Sequence, residues 1–191
     1  FSYLSLTAVN TVFEANGLSV FDVEELPTHG GSLRVHAQRS ATGRRAVTAA
    51  VANVLDRERA EGARTREYYS GFQQRAEKVK DDFLTFLLHA KRNGKKVVGY
   101  GAAAKGNTLM NFAGCRRDLL AFVVDRNPAK QGRFMPGSRI PILAEQALRD
   151  ARPDYVVILP WNLRAEVSRQ LHYVREWGGR FVTAVPELEV S

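Results

Sequence analysis

The chain has 191 residues, 45% hydrophobic and 25% charged, with a formal net charge of +8 and a pI near 9.9. That size means one ordinary domain, or one domain plus part of another, with a sizeable core. Its apolar runs are far too short to span a bilayer, and no charged-then-apolar N-terminal signal is visible. The single cysteine, Cys115, excludes an internal disulfide and any multi-cysteine metal site, so no metal is expected, and it fits a reducing, cytoplasmic setting.

Residues 5–16 have helical spacing (Leu6, Val9, Val12, Phe13), with Ser5 as N-cap and Gly17 as stop. Residues 18–26 and 32–39 read as an antiparallel strand pair joined by the turn Pro27-Thr28-His29-Gly30-Gly31. A polar hinge around Gly43 leads into a long helical region. Its first apolar stripe is Val47, Ala50, Val51, Val54 and Leu55. A polar span from Arg57 to Arg66 follows. The second stripe is Phe72, Val79, Phe83, Phe86, Leu87 and Ala90, ending at Asn93-Gly94. Both stripes predict core contacts.

From Lys95 the order becomes strand, helix, strand, helix. The strands are Val97–Gly101, Leu119–Val124, Tyr155–Leu159 and Phe181–Val185, with a short extended piece near Ile140–Leu143. Helices fall near 105–113, 144–151 and 163–177, the last capped by Asn162 and stopped at Gly178-Gly179. Near-continuous apolar strands alternating with helices predict an α/β fold, its parallel sheet covered on both faces. The strands are too few for a two-lobed dinucleotide fold and match one mononucleotide half.

The richest stretch is K-K-V-V-G-Y-G-A-A-A-K-G-N-T-L-M-N, Lys95 to Asn111. Gly99 and Gly101 allow a tight turn and a close backbone approach, and the helix after them directs its N–H groups at an anion. Lys105 adds a charge, Gly106 follows it, and Asn107 adds a side-chain donor. Gly99-x-Gly101-x-x-Ala104 fits the dinucleotide fingerprint, with Asp125 placed to meet ribose hydroxyls. The alternative is a ligand-free strand-to-helix turn with a loop-capping Asp125. Ligands sit beyond the carboxyl ends of such strands. That brings Gly101–Asn107, Asp125-Arg126-Asn127-Pro128 and Pro160-Trp161-Asn162 to one rim. Trp161 either stacks on a base or sugar or is a structural core residue. Lys130, Gln131 and Gly132 either reach a phosphate or are solvated. Cys115 reads as a packing residue. The basic residues are scattered, without an aromatic-interleaved stripe, so nucleic acid is not the expected partner.

G-Y-G-A-A-A-K-G-N-T-L-M-N, V-V-D-R-N-P-A-K-Q-G-R-F-M-P-G-S-R-I-P-I, P-D-Y-V-V-I-L-P-W-N-L and W-G-G-R-F-V, with F-S-Y-L-S-L and T-H-G-G-S-L-R upstream, resemble the C-terminal domain of sugar C-methyltransferases. The resemblance covers nearly the whole chain. It implies a Rossmann-like domain of an enzyme that uses S-adenosylmethionine to methylate a carbon of a dTDP-linked keto-deoxysugar. It also implies three parts in the parent: a zinc-binding segment, a central S-adenosylmethionine domain and this domain. On that basis residues 1–39 are the tail of the methyltransferase domain, 40–94 a helical connector and 95–191 the nucleotide-sugar-binding domain.

The zinc segment, the S-adenosylmethionine site and a Glu-His pair for deprotonation would then lie outside this chain, and the chain alone is expected to be inactive, with no cofactor bound. The Gly99 loop comes after the F-S-Y-L segment, whereas the family's methyl-donor loop precedes it. His29 remains either an acid/base group or a packing residue. The Gly101–Asn107 cradle would hold the diphosphate, and Asp125, Asn127, Trp161 and Asn162 would frame the nucleotide or sugar. Two other readings stay open: a small NAD(P)-binding oxidoreductase domain, resting on the fingerprint and Asp125, and a binding module whose basic surface contacts nucleic acid.

Overall fold

The computed structural model describes residues 3–191, and of His29 the backbone alone. The chain folds as two compact units that divide at Gln73-Gln74.

In the first unit, α1 (Leu6–Ala15) begins where the Ser5 hydroxyl accepts the Ala8 N–H at 3.2 Å. Strands β1 (Leu18–Leu26) and β2 (Ser32–Arg39) pair antiparallel, with a bulge between Val20 and Asp22. Val20 and Val23 bury against Leu6 and against Val51 and Val54 of α2 (Ala49–Ala60). The predicted stripe starts too early, for Val47 is 61% exposed. The helix opens only at Ala49, because the Thr48 N–H donates to the Phe21 carbonyl and holds the preceding backbone extended. The polar span beyond α2 is broken by a turn before the short helix α3 (Arg66–Ser70).

Glu58 of α2 reaches the start of α1, accepting the Leu6 N–H at 2.7 Å and the Thr7 N–H at 2.8 Å. These are amides a helix leaves unpaired at its N-terminus. Burial pushes the Glu58 carboxyl up, but the hydrogen bonds from Thr7 and Leu6 outweigh it and hold the pKa below the usual glutamate value. Glu58→Ala is expected to cost about 1 kcal/mol in urea unfolding, as for other lost helix caps. Because the folded pKa is depressed, the contribution is complete above the unfolded glutamate pKa and disappears as pH falls through the folded value. Wild-type and variant stabilities should converge in acid.

The second unit takes most of α4 (Phe72–Arg92), whose Phe83, Leu87 and Ala90 are buried. Phe72, the first member of the expected stripe, is 64% exposed on the opening turn and does not belong to the core. Six strands follow: β3 (Val97–Tyr100), β4 (Val123–Val124), β5 (Ile142–Leu143), β6 (Tyr155–Ile158), β7 (Arg180–Thr183) and β8 (Glu189–Val190). Their order is β5-β4-β3-β6-β7-β8, all parallel except β8, which runs antiparallel to β7.

Helix α4 and α5 (Ala104–Phe112) cover one face, packing Phe83, Leu87 and Met110 on Val97, Val123, Val157 and Val182. Helices α6 (Gln146–Ala151) and α7 (Arg164–Gln170) belong to the other, where Leu148 and Val167 meet Val98, Val124, Val156 and Ile158. Coverage of both faces is why these strands read as unbroken apolar runs. The fold is thus the expected α/β class: a mostly parallel sheet flanked by helices, preceded by a helix, an antiparallel strand pair and a helical stretch.

The strand count also exceeds the single mononucleotide half read from the sequence: six strands stand in the order of a full dinucleotide fold, with only the short last strand reversed. Three elements differ from expectation in detail. The run Leu119–Val124 is strand only at its last two residues, and Leu120 plugs the core from a turn. The helix expected over 163–177 is a 3-10 turn at Trp161–Leu163, then α7, then a second 3-10 stretch at His172–Trp177 that ends at left-handed Gly178. Asn162 is therefore not its cap; Leu163 stands there, with no side-chain bond. Strand β8 has no counterpart in the sequence reading. Among the described residues, no helix is long and apolar enough to cross a membrane.

Candidate functional site

From β3 the chain crosses to β4 and β5 on one side and later to β6 and β7 on the other. The carboxyl end of β3 is thus the point where the connections diverge, the usual ligand position in open α/β sheets. Gly101 stands there at φ +84°, and a Cβ on it would lie 2.7 Å from Pro160 Cδ. Handedness and space both demand glycine. Gly99 does not share this role. It lies inside β3, its N–H donating to the Phe122 carbonyl at 2.8 Å, among Val123, Leu159 and Leu120. The close helix–strand approach belongs to Gly106, whose Cβ would sit 2.4 Å from Leu159 Cβ. The small residues that matter are therefore Gly101 and Gly106, not the spacing Gly99-x-Gly101-x-x-Ala104.

Asp125, 9% exposed at the end of β4, turns inward onto this loop. One carboxylate oxygen accepts the Ala102 N–H at 2.7 Å and the Lys130 ammonium at 3.1 Å. The other accepts the Asn127 N–H at 2.8 Å. Lys130 also donates to the Ala102 carbonyl at 2.9 Å, and the Gln131 amide donates to the Asp125 carbonyl at 2.9 Å. Asn127 accepts the Ala129 N–H at 3.0 Å, closing the turn. Burial pushes the Asp125 carboxyl up, but the bonds from Asn127, Lys130 and Ala102 win and hold it below the usual aspartate range. Asp125, Asn127 and Lys130 thus form a brace under the glycine loop.

Beside the brace lies a cleft of about 630 Å³, lined by Ala102–Ala104, Asn107, Thr108, Lys130, Arg133 and Phe134, with Met135, Pro136 and Ile142 as its apolar wall. Its charged lining is Lys130 and Arg133, with no carboxylate. Asn107 projects from α5, its Oδ1 buried and without a hydrogen-bond partner among the described residues. Ala103, at the N-cap of α5, offers no side-chain acceptor to that helix end.

The other predicted residues gather on the opposite flank of α5. The Lys105 ammonium lies 5.7 Å over the Trp161 ring and 3.5 Å from Asn162 Oδ1. The structure therefore splits the expected site in two: Asp125, Asn127 and Asn107 toward β4 and β5, and Lys105, Trp161 and Asn162 toward β6. His29 sits in the 3-10 turn Thr28–Gly30 of the first unit, and its side chain lies outside the described residues.

Arg133 and Phe134 also line the cleft, which the sequence does not reveal, because a charged and an aromatic residue in an irregular loop carry no periodic signal. Cys115 is fully buried, with its thiol pushed up to about 12 by that burial, so it is a packing residue. Several of the scattered cations are ion-paired, among them Arg34 with Glu24, Arg57 with Glu25 and Lys91 with Asp118.

Residues 27–186 match the family described as C-methyltransferase C-terminal domain. The chain is also 37% identical over 190 residues to the C-methyltransferase NovU of Streptomyces niveus, an alignment covering 100% of this chain and 45% of that protein. The chain thus spans less than half the length of that relative.

Proposed function

This chain belongs to the C-methyltransferase C-terminal domain family, and from that premise we propose that it holds the nucleotide end of a dTDP-linked keto-deoxysugar while the rest of a longer polypeptide methylates it. One observation carries the reading: a cleft at the carboxyl edge of a parallel sheet, with no carboxylate in its lining and the Arg133 cation unpaired among the described residues. Such a lining favours an anionic ligand, and its volume lies in the range of small-molecule sites. The Gly101–Asn107 segment meets the diphosphate. Lys105, Trp161 and Asn162, on the other flank of α5, face the sugar.

Methylation of carbon beside a ketone removes an α-proton, stabilises the enolate and holds an electrophilic methyl in line. In this proposal, S-adenosylmethionine supplies the methyl from a domain outside this chain. The deprotonating base and a zinc-binding segment also belong to that remainder. Residues 1–39 complete the methyltransferase domain, with His29 as a second acid/base group, residues 40–94 connect, and residues 95–191 bind the nucleotide sugar. The chain alone is inactive. Against the alternative oxidoreductase reading stands Asp125, whose two oxygens already accept Ala102, Asn127 and Lys130 in place of ribose hydroxyls.

The test is a thermal-shift titration with dTDP, S-adenosylmethionine and NAD⁺ in parallel. A ligand specific to the folded state adds about 2.7 kcal/mol at a hundredfold excess over its Kd. Stabilisation by dTDP and not by the other two is expected. Stabilisation by NAD⁺ alone would replace this reading with the oxidoreductase, and methyl transfer by the isolated chain would refute its inactivity.

A further inference from the structure

We infer that Arg133 and Phe134 divide recognition of the nucleotide between them, Arg133 taking the diphosphate and Phe134 serving as the platform on which the base stacks. The inference rests on reading the cleft as a nucleotide site, and it assigns that site two residues outside the glycine loop.

The argument begins with charge. The cleft has two cations. Lys130 is committed: its ammonium meets the Asp125 carboxylate at 3.1 Å and the Ala102 carbonyl at 2.9 Å, so most of its field is cancelled locally. The exposed Arg133 guanidinium has no ion-pair or hydrogen-bond partner among the described residues. It is the cleft cation whose charge is left for a ligand, and its planar fork suits two phosphate oxygens at once.

Phe134 comes next along the chain and lines the same cleft while 60% exposed. A large aromatic held in water on a cleft rim gains by being covered, and any nucleobase offers a π-face.

The backbone holds both residues in place. The Arg133 carbonyl accepts the Ile142 N–H at 2.8 Å, the Arg133 N–H donates to the Lys130 carbonyl at 3.2 Å, and Phe134 bridges to Pro141. Their backbone is fixed against β5, so a ligand has only the two side chains to order. Base and diphosphate are likewise adjacent in a nucleotide, separated by one ribose.

Three probes separate the two roles: dTDP, thymidine and inorganic pyrophosphate, titrated calorimetrically against the wild-type chain, Arg133→Gln, Phe134→Ala and Phe134→Tyr. Both side chains are exposed, so melting temperatures should match the wild type. Phe134→Ala is expected to weaken dTDP and thymidine about tenfold and leave pyrophosphate unchanged. Phe134→Tyr should restore binding. Arg133→Gln is expected to weaken dTDP and pyrophosphate about tenfold and spare thymidine.

If dTDP binds the wild type and both variants equally, the division is wrong while the nucleotide-sugar reading stands. Equal losses of pyrophosphate in Phe134→Ala and Arg133→Gln would also overturn it. No binding of dTDP to the wild type would remove the nucleotide reading itself, and this inference with it.

Discussion

Asp125→Ala should lower the stability of this chain by about 3 kcal/mol and weaken dTDP binding more than tenfold. Its carboxylate holds two backbone amides, those of Ala102 and Asn127, and the Lys130 ammonium. Removing it leaves all three without that acceptor at the end of β4. Asp125→Asn should do nearly as badly, for a geometric reason. Each carboxylate oxygen accepts a backbone N–H, so an amide places its NH₂ against a donor whichever way it is turned. The pH dependence follows from the depressed pKa. Asp125 stabilises the fold fully above the unfolded aspartate pKa, and the effect is lost as pH falls through the lower folded value. Stability curves of wild type and Asp125→Asn, measured against pH, should approach one another there. Equal stability of the two at neutral pH would show that the brace is not what holds the loop.

The second large effect is expected at Gly106. Its missing Cβ would stand 2.4 Å from Leu159 Cβ and 3.1 Å from Leu159 Cγ and Cδ2. The nearest of these atoms is bonded directly to the backbone of the β6 end and cannot swing away. Gly106→Val forces α5 off the sheet and displaces the helix end that borders the cleft. Overpacking of this kind costs about 3 kcal/mol, readable as a fall in melting temperature with a parallel loss of dTDP binding. Gly106→Ala should be milder, since alanine returns about 1 kcal/mol of helix propensity. Adding Leu159→Ala to Gly106→Ala should give no rescue, because alanine keeps the offending Cβ. A Gly106→Val chain that melts like the wild type would mean that the helix has room to shift.

The parallel strands were the most legible part of the sequence. Val97–Tyr100, Tyr155–Ile158 and Arg180–Thr183 are found within about two residues of their predicted ends, since a strand buried on both faces is a dense apolar run. The same signal misled at Leu119–Leu120, where the apolar side chains are buried from a turn. Hydrophobicity reports burial, and only neighbouring backbone bonds decide extension. Strand β8 is two residues long and exists through its pairing with β7. Its two residues stand in no apolar run, unlike the extended piece at Ile140–Leu143 within which β5 was readable.

At the site, the glycine loop was legible because its residues are adjacent in the chain. The direction in which Asp125 points was not. An acid at a strand end fits a ribose contact and a loop brace equally well, and the choice lies in Ala102, Asn127 and Lys130. The separation of Lys105, Trp161 and Asn162 from the cleft depends likewise on strand order, which connection lengths alone do not reveal.

The margins of the six-stranded sheet bear on how this protein behaves at high concentration. A bare outer strand is a template on which other chains can add. Beyond β5, the Gly132 N–H donates to the Ile142 carbonyl and the Ile142 N–H to the Arg133 carbonyl, so that border is already occupied. At the opposite border the last strand, β8, is two residues long and antiparallel. Short or covered borders are how natural sheets resist edge-to-edge growth. The loop that carries Arg133 and Phe134 therefore also works as a guard, and shortening it to alter ligand preference would expose β5 and invite self-association.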